Sequence, residues 1–92
     1  MWKKKNIDLK IEVEAQSLED VKKILKFDEV DSILLDNFSI DDLKTAVDLI
    51  GGKLDVEASG GITLENVRQV AETGVDYISI GMLTQFPALL DL

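Results

Sequence analysis

Short apolar runs alternate with longer amphipathic segments along this chain. Four runs of strand length are rich in valine, isoleucine, leucine and tyrosine, and they cover residues 11–15, 33–35, 54–58 and 77–80. Apolar residues recur every three or four positions between these runs, a spacing that predicts helices. The helical stripes consist of Leu18, Val21, Ile24 and Leu25, then Ile40, Leu43, Val47 and Ile50, and finally Leu64, Val67, Val70 and Ala71.

A hydroxyl residue precedes each stripe, and an acidic or amide residue follows it three positions later. The pairs are Ser17 with Asp20, Ser39 with Asp42, and Thr63 with Asn66. This spacing resembles a capping box and predicts that a helix begins after each hydroxyl residue. Thr84 continues the series and predicts a fourth helix, with Pro87 in its first turn, where proline is tolerated.

Repeated strand and helix segments of this length predict parallel strands joined by right-handed crossovers. Within each strand, one set of alternate residues is apolar and the other is largely polar, with Leu34 as the apolar exception. A sheet covered by helices on both faces has strands that are hydrophobic throughout, whereas a barrel interior accepts polar residues. We therefore predict an α/β fold of four consecutive parallel β/α units, equivalent to half of a TIM-type barrel. One partial domain spans residues 1–92, with residues 1–9 as a lead-in and 10–92 as the barrel-like segment.

Acidic side chains dominate the predicted polar face. They are Glu12, Glu14, Asp36, Asp55 and Glu57. Because barrel active sites lie at the carboxyl ends of the strands, Glu14, Asp36 and Ser59 are the favoured functional residues. Glu12 and Asp55 lie away from those ends and fit a solvated face equally well. Buried carboxylates need cations, which we expect from another segment, a partner chain or a metal.

Composition narrows the possible functions. The net charge is −8, Arg68 is the sole arginine, and there is neither cysteine nor histidine. Nucleic acid and anionic membranes are therefore unlikely partners, and disulfides and thiolate metal sites are excluded. No apolar stretch approaches the length of a membrane span, so the expected location is cytoplasmic.

A glycine pair follows the third predicted strand. The segment Ser59-Gly60-Gly61-Ile62-Thr63 is expected to run directly into a helix, and Gly81 follows the fourth strand in an equivalent place. Glycine lets backbone N–H groups approach an anion, and a helix N-terminus adds favourable charge. These residues therefore predict a phosphate site, although two turns that need positive φ angles explain the glycines about as well.

Five segments together resemble the C-terminal part of quinolinate phosphoribosyltransferase, in order and near the same spacing. They cover residues 11–14, 34–38, 56–62, 72–79 and 81–84. The resemblance implies conversion of quinolinate and phosphoribosyl pyrophosphate to nicotinate mononucleotide, pyrophosphate and carbon dioxide, with Mg²⁺, in NAD biosynthesis. It implies that Glu14 and Asp36 hold the ribose hydroxyls and assist metal placement. It also implies that Ser59, Gly60, Gly61 and Gly81 hold the 5′-phosphate.

The resemblance has gaps. Many family members have histidine where this chain has Gln85, and the cationic residues that hold the quinolinate carboxylates have no counterpart here. The leading hypothesis is accordingly a fragment that carries the ribose-phosphate half of the site, binds phosphate weakly and catalyses little or nothing alone.

Two alternatives come from other classes. A half-barrel with open sheet edges could self-associate, as an excised or designed folding unit without catalysis. A receiver-like module with Asp36 as phosphoacceptor is the weaker alternative, since the paired acids after the first strand and a late lysine are missing.

Overall fold

The computed structural model describes residues 10–80, which form four strands and three helices. The elements are β1 (Glu12–Ala15), α1 (Leu18–Ile24), β2 (Ser32–Asp36), α2 (Ile40–Ile50), β3 (Asp55–Ser59), α3 (Val67–Ala71) and β4 (Tyr77–Ile78). The predicted fourth helix, Gly81 and Gln85 lie outside the described residues. No helix within residues 10–80 has the length and apolar character needed to cross a membrane.

The four strands form one parallel sheet in the order β1-β2-β3-β4. The predicted α/β class with consecutive parallel β/α units is therefore confirmed. Strands that follow one another in space as in sequence place their crossover helices on one face, because parallel crossovers share one hand. The apolar strand residues and the helices accordingly share a single core, which includes Ala15, Ile33, Leu35, Val56 and Ala58 from the sheet.

Hydroxyl caps start the first two helices as the spacing predicts. The Ser17 Oγ accepts from the Asp20 N–H, and the Ser39 Oγ accepts from the Asp42 N–H. The Asp20 carboxylate in turn accepts from the N–H of Gln16, the residue before the cap, so it reaches back one residue further than in a capping box. These bonds satisfy N–H groups that have no partner within the helix.

The third helix differs from its prediction. It begins at Val67 rather than after Thr63, and it spans five residues. Leu64, predicted to lie on its buried stripe, is 56% exposed. The reason is a tight turn: the Thr63 Oγ accepts from the Glu65 N–H, and the Asn66 N–H donates to the Thr63 carbonyl. That turn uses the residues that the pattern assigned to the first helical turn.

Two aspartates that precede strands join neighbouring strands at the opposite, N-terminal edge of the sheet. The Asp31 carboxylate accepts from the Ile11 N–H, and the Asp76 carboxylate accepts from the Val56 N–H, both at 2.8 Å. Each aspartate also donates its own N–H to the carbonyl of that same partner residue. The repeated Val-Asp-X-Ile sequence at residues 30–33 and 75–78 encodes these links, which fix the strand register beneath the polar face.

Candidate functional site

The carboxyl ends of β1, β2 and β3 bring together most of the predicted site residues. Asp36 and Ser59 are register partners on adjacent strands, and Gly60 follows directly. Glu14 lies on β1, level with Leu34 and therefore two residues before the end of β2. Five of the six residues predicted for substrate contact thus share one sheet edge, and the sixth, Gly81, lies outside the described residues.

Glu14 and Asp36 form a carboxyl pair at this edge. Partial burial raises the pKa of Asp36, and a hydrogen bond with Glu14 and the charge of Glu14 raise it further. The Gln16 side-chain amide donates to the Glu14 carboxylate at 3.1 Å. The pair therefore presents several oxygen acceptors together, and adding a cation or hydroxyl donors would relieve its repulsion.

A second carboxyl pair lies further down the same face. Burial raises the pKa of Glu57, and the charge of Glu12 and a hydrogen bond with it add to the effect. The Ser32 Oγ donates to the Glu12 carboxylate at 3.3 Å. Serine here and glutamine at the first pair are neutral donors, so both pairs retain a demand for positive charge.

Gly60 and Gly61 form a loop above Asp36. Their φ angles are +80° and +71°, in the left-handed region that glycine reaches without strain. Within residues 10–80, the N–H groups of these two glycines donate no hydrogen bond. Backbone amides without a partner among the described residues are available to bind an anion, so the predicted phosphate site keeps two candidate donors here.

The glycine loop packs directly against the residues that end β2. A Cβ atom on Gly60 would lie 2.5 Å from the Asp36 Oδ1 and 2.9 Å from the Asn37 nitrogen. A Cβ on Gly61 would lie 3.0 Å from the Asn37 Oδ1. The close approach explains why glycine is required here, and it joins the carboxyl pair and the loop into one site.

Asn66 holds the far side of the same loop. Its side-chain Oδ1 accepts from the Thr63 N–H at 2.9 Å, and its Nδ2 donates to the Gly61 carbonyl at 3.0 Å. The N–H of Thr63 is therefore already used and is unsuited to an anion. The sequence predicted that the loop runs directly into a helix. That prediction is wrong, because the turn at residues 63–66 lies between them. A helix dipole consequently contributes less to this site than the sequence suggested.

A cavity of about 270 Å³ opens on the polar face nearer the N-terminal ends of the strands. Glu12, Asp55 and Glu57 line it together with Tyr77 and Lys10. Lys10 is the one cation in this lining, against four carboxylates when Asp31 is included. The lower part of the face is therefore acidic as well.

Metal binding has limited support from these side chains. Within residues 10–80, no group of three or more acidic, histidine or cysteine side chains is arranged to hold a metal ion. Glu14 and Asp36 supply two carboxylates, and Mg²⁺ is commonly held by one or two carboxylates together with substrate oxygens and water. Magnesium binding by this pair stays a prediction.

The sequence assigned neither asparagine at this edge to the site, although it paired Asn66 with Thr63 as a helix cap. Asn37 contacts the glycine loop across the strands, and Asn66 holds it from the following turn. Asn37 follows a strand-ending aspartate, and a glycine pair lies 23 residues later. That combination is the one signal that could have indicated contact between two strand-end loops.

Sequence comparison gives a consistent result across most of the chain. A family profile described as the quinolinate phosphoribosyl transferase C-terminal domain matches residues 2–92. A chloroplastic carboxylating nicotinate-nucleotide pyrophosphorylase of Arabidopsis thaliana is 38% identical over 98% of this chain and 30% of its own length. The carboxylating nicotinate-nucleotide pyrophosphorylase of Rattus norvegicus is 41% identical over 90% of this chain and 28% of its own length.

Solved structures agree. The nicotinate-nucleotide pyrophosphorylase of Ehrlichia chaffeensis superposes with a TM-score of 0.75 and 45% identity, covering 84% of this chain and 28% of that protein. The corresponding protein of Francisella tularensis gives a TM-score of 0.71 and 35% identity, covering 77% of this chain and 25% of that protein. This chain thus spans less than a third of the length of these relatives.

Proposed function

Because this chain belongs to the quinolinate phosphoribosyl transferase C-terminal domain family, we propose that its sheet edge is the ribose-phosphate half of that family's active site. The observation that carries the proposal is the close packing of Gly60 against Asp36, in a loop whose glycine amides donate no hydrogen bond within residues 10–80. A phosphate and a ribose joined by one carbon need an anion site and hydroxyl acceptors this close together.

Glu14 and Asp36 are assigned to the ribose. Carboxylates accept hydrogen bonds from vicinal hydroxyls, and bonds to a charged acceptor are stronger than neutral ones. Burial, a hydrogen bond with Glu14 and the charge of Glu14 raise the pKa of Asp36, and hydroxyl donors or a cation would relieve the repulsion within the pair. Bound Mg²⁺ would supply charge neutralisation for the leaving pyrophosphate, and the same two carboxylates would hold it.

Ser59, Gly60 and Gly61 are assigned to the 5′-phosphate. The glycine amides are free within residues 10–80, and the Ser59 hydroxyl lies at the same strand end. Backbone amides suit this task because they are fixed by the fold and lose little entropy on binding. Gly81 is proposed to complete the cradle from the fourth strand.

The family reaction requires more than this edge supplies. Quinolinate carries two carboxylates, and the polar face of residues 10–80 presents acidic pairs held by neutral donors. We therefore propose that cationic groups beyond this face hold quinolinate, and that the 92-residue chain by itself forms no measurable nicotinate mononucleotide. Product formation by the purified chain would contradict this.

A ligand titration tests the assignment of the two halves. Ribose 5-phosphate and inorganic phosphate are added in turn to the ¹⁵N-labelled chain, and amide shifts are followed by NMR. Both ligands should shift Gly60 and Gly61 first, and ribose without phosphate should leave those amides unchanged. Shifts centred elsewhere would overturn the proposed phosphate site.

The substitution Asp36→Asn separates ribose from phosphate contacts. Loss of a charged acceptor should weaken ribose 5-phosphate binding by about tenfold. The same change removes a negative charge beside the glycine loop, so inorganic phosphate should bind equally well or slightly more tightly. The matched control is Asp41→Asn on α2, which changes net charge equally and should alter neither affinity. Parallel loss of both ligands in D36N would contradict separate roles.

A further inference from the structure

Asn37 has a left-handed backbone conformation, which is uncommon for residues other than glycine. Its φ angle is +65°, and it is the one non-glycine residue with positive φ within residues 10–80. Left-handed backbone is disfavoured for most L-residues, and asparagine is among those that tolerate it best. A conformation of this kind persists only where the surrounding structure maintains it.

The contacts of Asn37 account for its conformation. Its N–H donates to the Ser59 carbonyl at 2.8 Å, which continues the pairing of β2 and β3 one residue beyond the strands. The same nitrogen lies 2.9 Å from the position of a Cβ on Gly60, and its Oδ1 lies 3.0 Å from that of a Cβ on Gly61. Asn37 thus occupies the space that glycine leaves open on the neighbouring loop.

We propose that Asn37 is a positioning residue that fixes the distance between Asp36 and the amides of Gly60 and Gly61. Its left-handed backbone turns the chain after Asp36 so that the N–H meets the Ser59 carbonyl and the glycine loop packs beside the carboxylate. Ribose and 5⁠′-phosphate are then met by groups held in one register. The ligand assignment rests on the proposed function, whereas the positioning itself is a property of the free protein.

The proposal requires conformational freedom at residue 37 rather than a particular side-chain bond. Asn37→Gly keeps the positive φ and the N–H but removes the side chain. Asn37→Ala keeps the N–H but disfavours the left-handed region. Gly52→Ala is the matched control, since Gly52 has a φ of +82° with nothing within 4 Å of an added Cβ. It lies at the other edge of the sheet, before β3, so it imposes the same backbone cost away from the site.

The first measurement uses the full chain without ligand. In N37A the amide shifts of Gly60 and Gly61 should move, and the amide of residue 37 should exchange with solvent about tenfold faster, because left-handed backbone costs alanine roughly the equivalent of a tenfold equilibrium change. N37G should keep the wild-type shifts, and G52A should leave the glycine loop unchanged. Wild-type shifts and protection in N37A would overturn the positioning role.

If N37A is partly unfolded, its amide shifts no longer report on the loop alone, and Asn37→Asp provides a second test. Aspartate also tolerates the left-handed region, so N37D should retain the ligand-free shifts of Gly60 and Gly61. Displaced glycine amides in N37D and N37G would show that the asparagine side chain, rather than the backbone turn, holds the loop, and would overturn the proposal.

The second measurement adds inorganic phosphate. Affinity at the glycine loop should fall about tenfold in N37A, stay within about twofold of wild type in N37G, and be unchanged in G52A. Equal affinity in N37A and N37G would overturn the link between Asn37 and the anion site. Absence of any response in the wild-type chain would instead refute the proposed phosphate site, while the ligand-free shifts would still decide the positioning role.

Discussion

Single carboxyl groups on the polar face differ mainly in how strongly burial and a neighbouring carboxyl group disfavour their charged form. Glu57 and Asp36 each lie partly buried beside another carboxyl group, and the pKa of each is raised. A raised folded-state pKa means that the folded protein binds the proton more tightly than the unfolded chain does. The stability that such a group contributes is full below its unfolded pKa and is lost as pH rises through the folded pKa.

Glu57→Gln should therefore stabilise the chain at neutral pH. The substitution mimics the protonated form and removes repulsion with Glu12, for an expected gain of about 0.5 kcal/mol, in the range of screened charge pairs on sheets. The gain should disappear as pH falls through the raised pKa towards the ordinary value of 4.5. Urea unfolding at several pH values measures it.

Two further variants complete that experiment. Glu12→Gln should give a smaller gain, because it removes the repulsion but leaves the Glu57 charge partly buried, and combining it with E57Q should add little. Glu19→Gln on α1 removes the same charge away from the face and should not stabilise. Full additivity of E12Q and E57Q would show that the two carboxyls do not interact.

The predictable part of the site is the part that depends on strand position. Alternation along β1–β3 and the rule that barrel sites lie at strand ends were enough to bring Glu14, Asp36 and Ser59 together. Asn37 was not predictable in this way. Its proposed positioning role rests on contact between two loops 23 residues apart in the sequence. A single sequence does not show which loops are in contact.

At the scale of elements, local signals succeeded where a cap and an apolar stripe agreed. Ser17 and Ser39 cap α1 and α2, and the residues behind them pack into the core. At the third helix the cap signal was present, but Leu64 points to solvent and the chain closes a turn first. Thr63 and Asn66 satisfy each other's polar groups within that turn, so the capping spacing recurs without a helical first turn.

Comparison of Thr63→Ala with Asn66→Ala tests this reading. Asn66 makes two hydrogen bonds that hold the glycine loop, whereas the Thr63 hydroxyl accepts one bond within the turn. We expect N66A to lower the free energy of unfolding by about 1–2 kcal/mol and T63A by about 0.5 kcal/mol. N66A should also shift the Gly61 amide in NMR spectra. A larger loss in T63A would indicate that Thr63 acts as the helix cap after all.

At the scale of the whole molecule, the helices within residues 10–80 cover one face of the sheet and leave the other uncovered by any described element. The helices pack on the apolar side, and the carboxyl pairs occupy the opposite side with neutral donors as their hydrogen-bonding partners. The sequence predicted this one-sided arrangement. Each helix has one apolar stripe and each strand has one apolar set of alternate residues, and the two pack together. The sequence does not show which groups contact the polar face. Its excess of carboxylates calls for a cation but does not say where that cation comes from.

The charge of the same face should oppose self-association. Within residues 10–80, β1 and β4 each pair with a single strand, so two copies could join edge to edge into a closed barrel. Closure would bring two acidic faces into one interior, which repulsion opposes at low salt and neutral pH. We therefore expect a monomer at micromolar concentration in sedimentation velocity under those conditions.

Neutralising the face should reverse that outcome. The double variant D36N/E57Q removes two charges from the polar face and should associate at neutral pH. Salt at about 1 M, where the Debye length is about 3 Å, should promote association of the wild type. E19Q/E65Q is the matched control, because it removes two charges from exposed positions on α1 and the turn before α3 and should remain monomeric. A monomer in every condition would refute barrel closure by two copies. If both double variants associate, the cause is the lower net charge of the chain rather than the charge of the polar face.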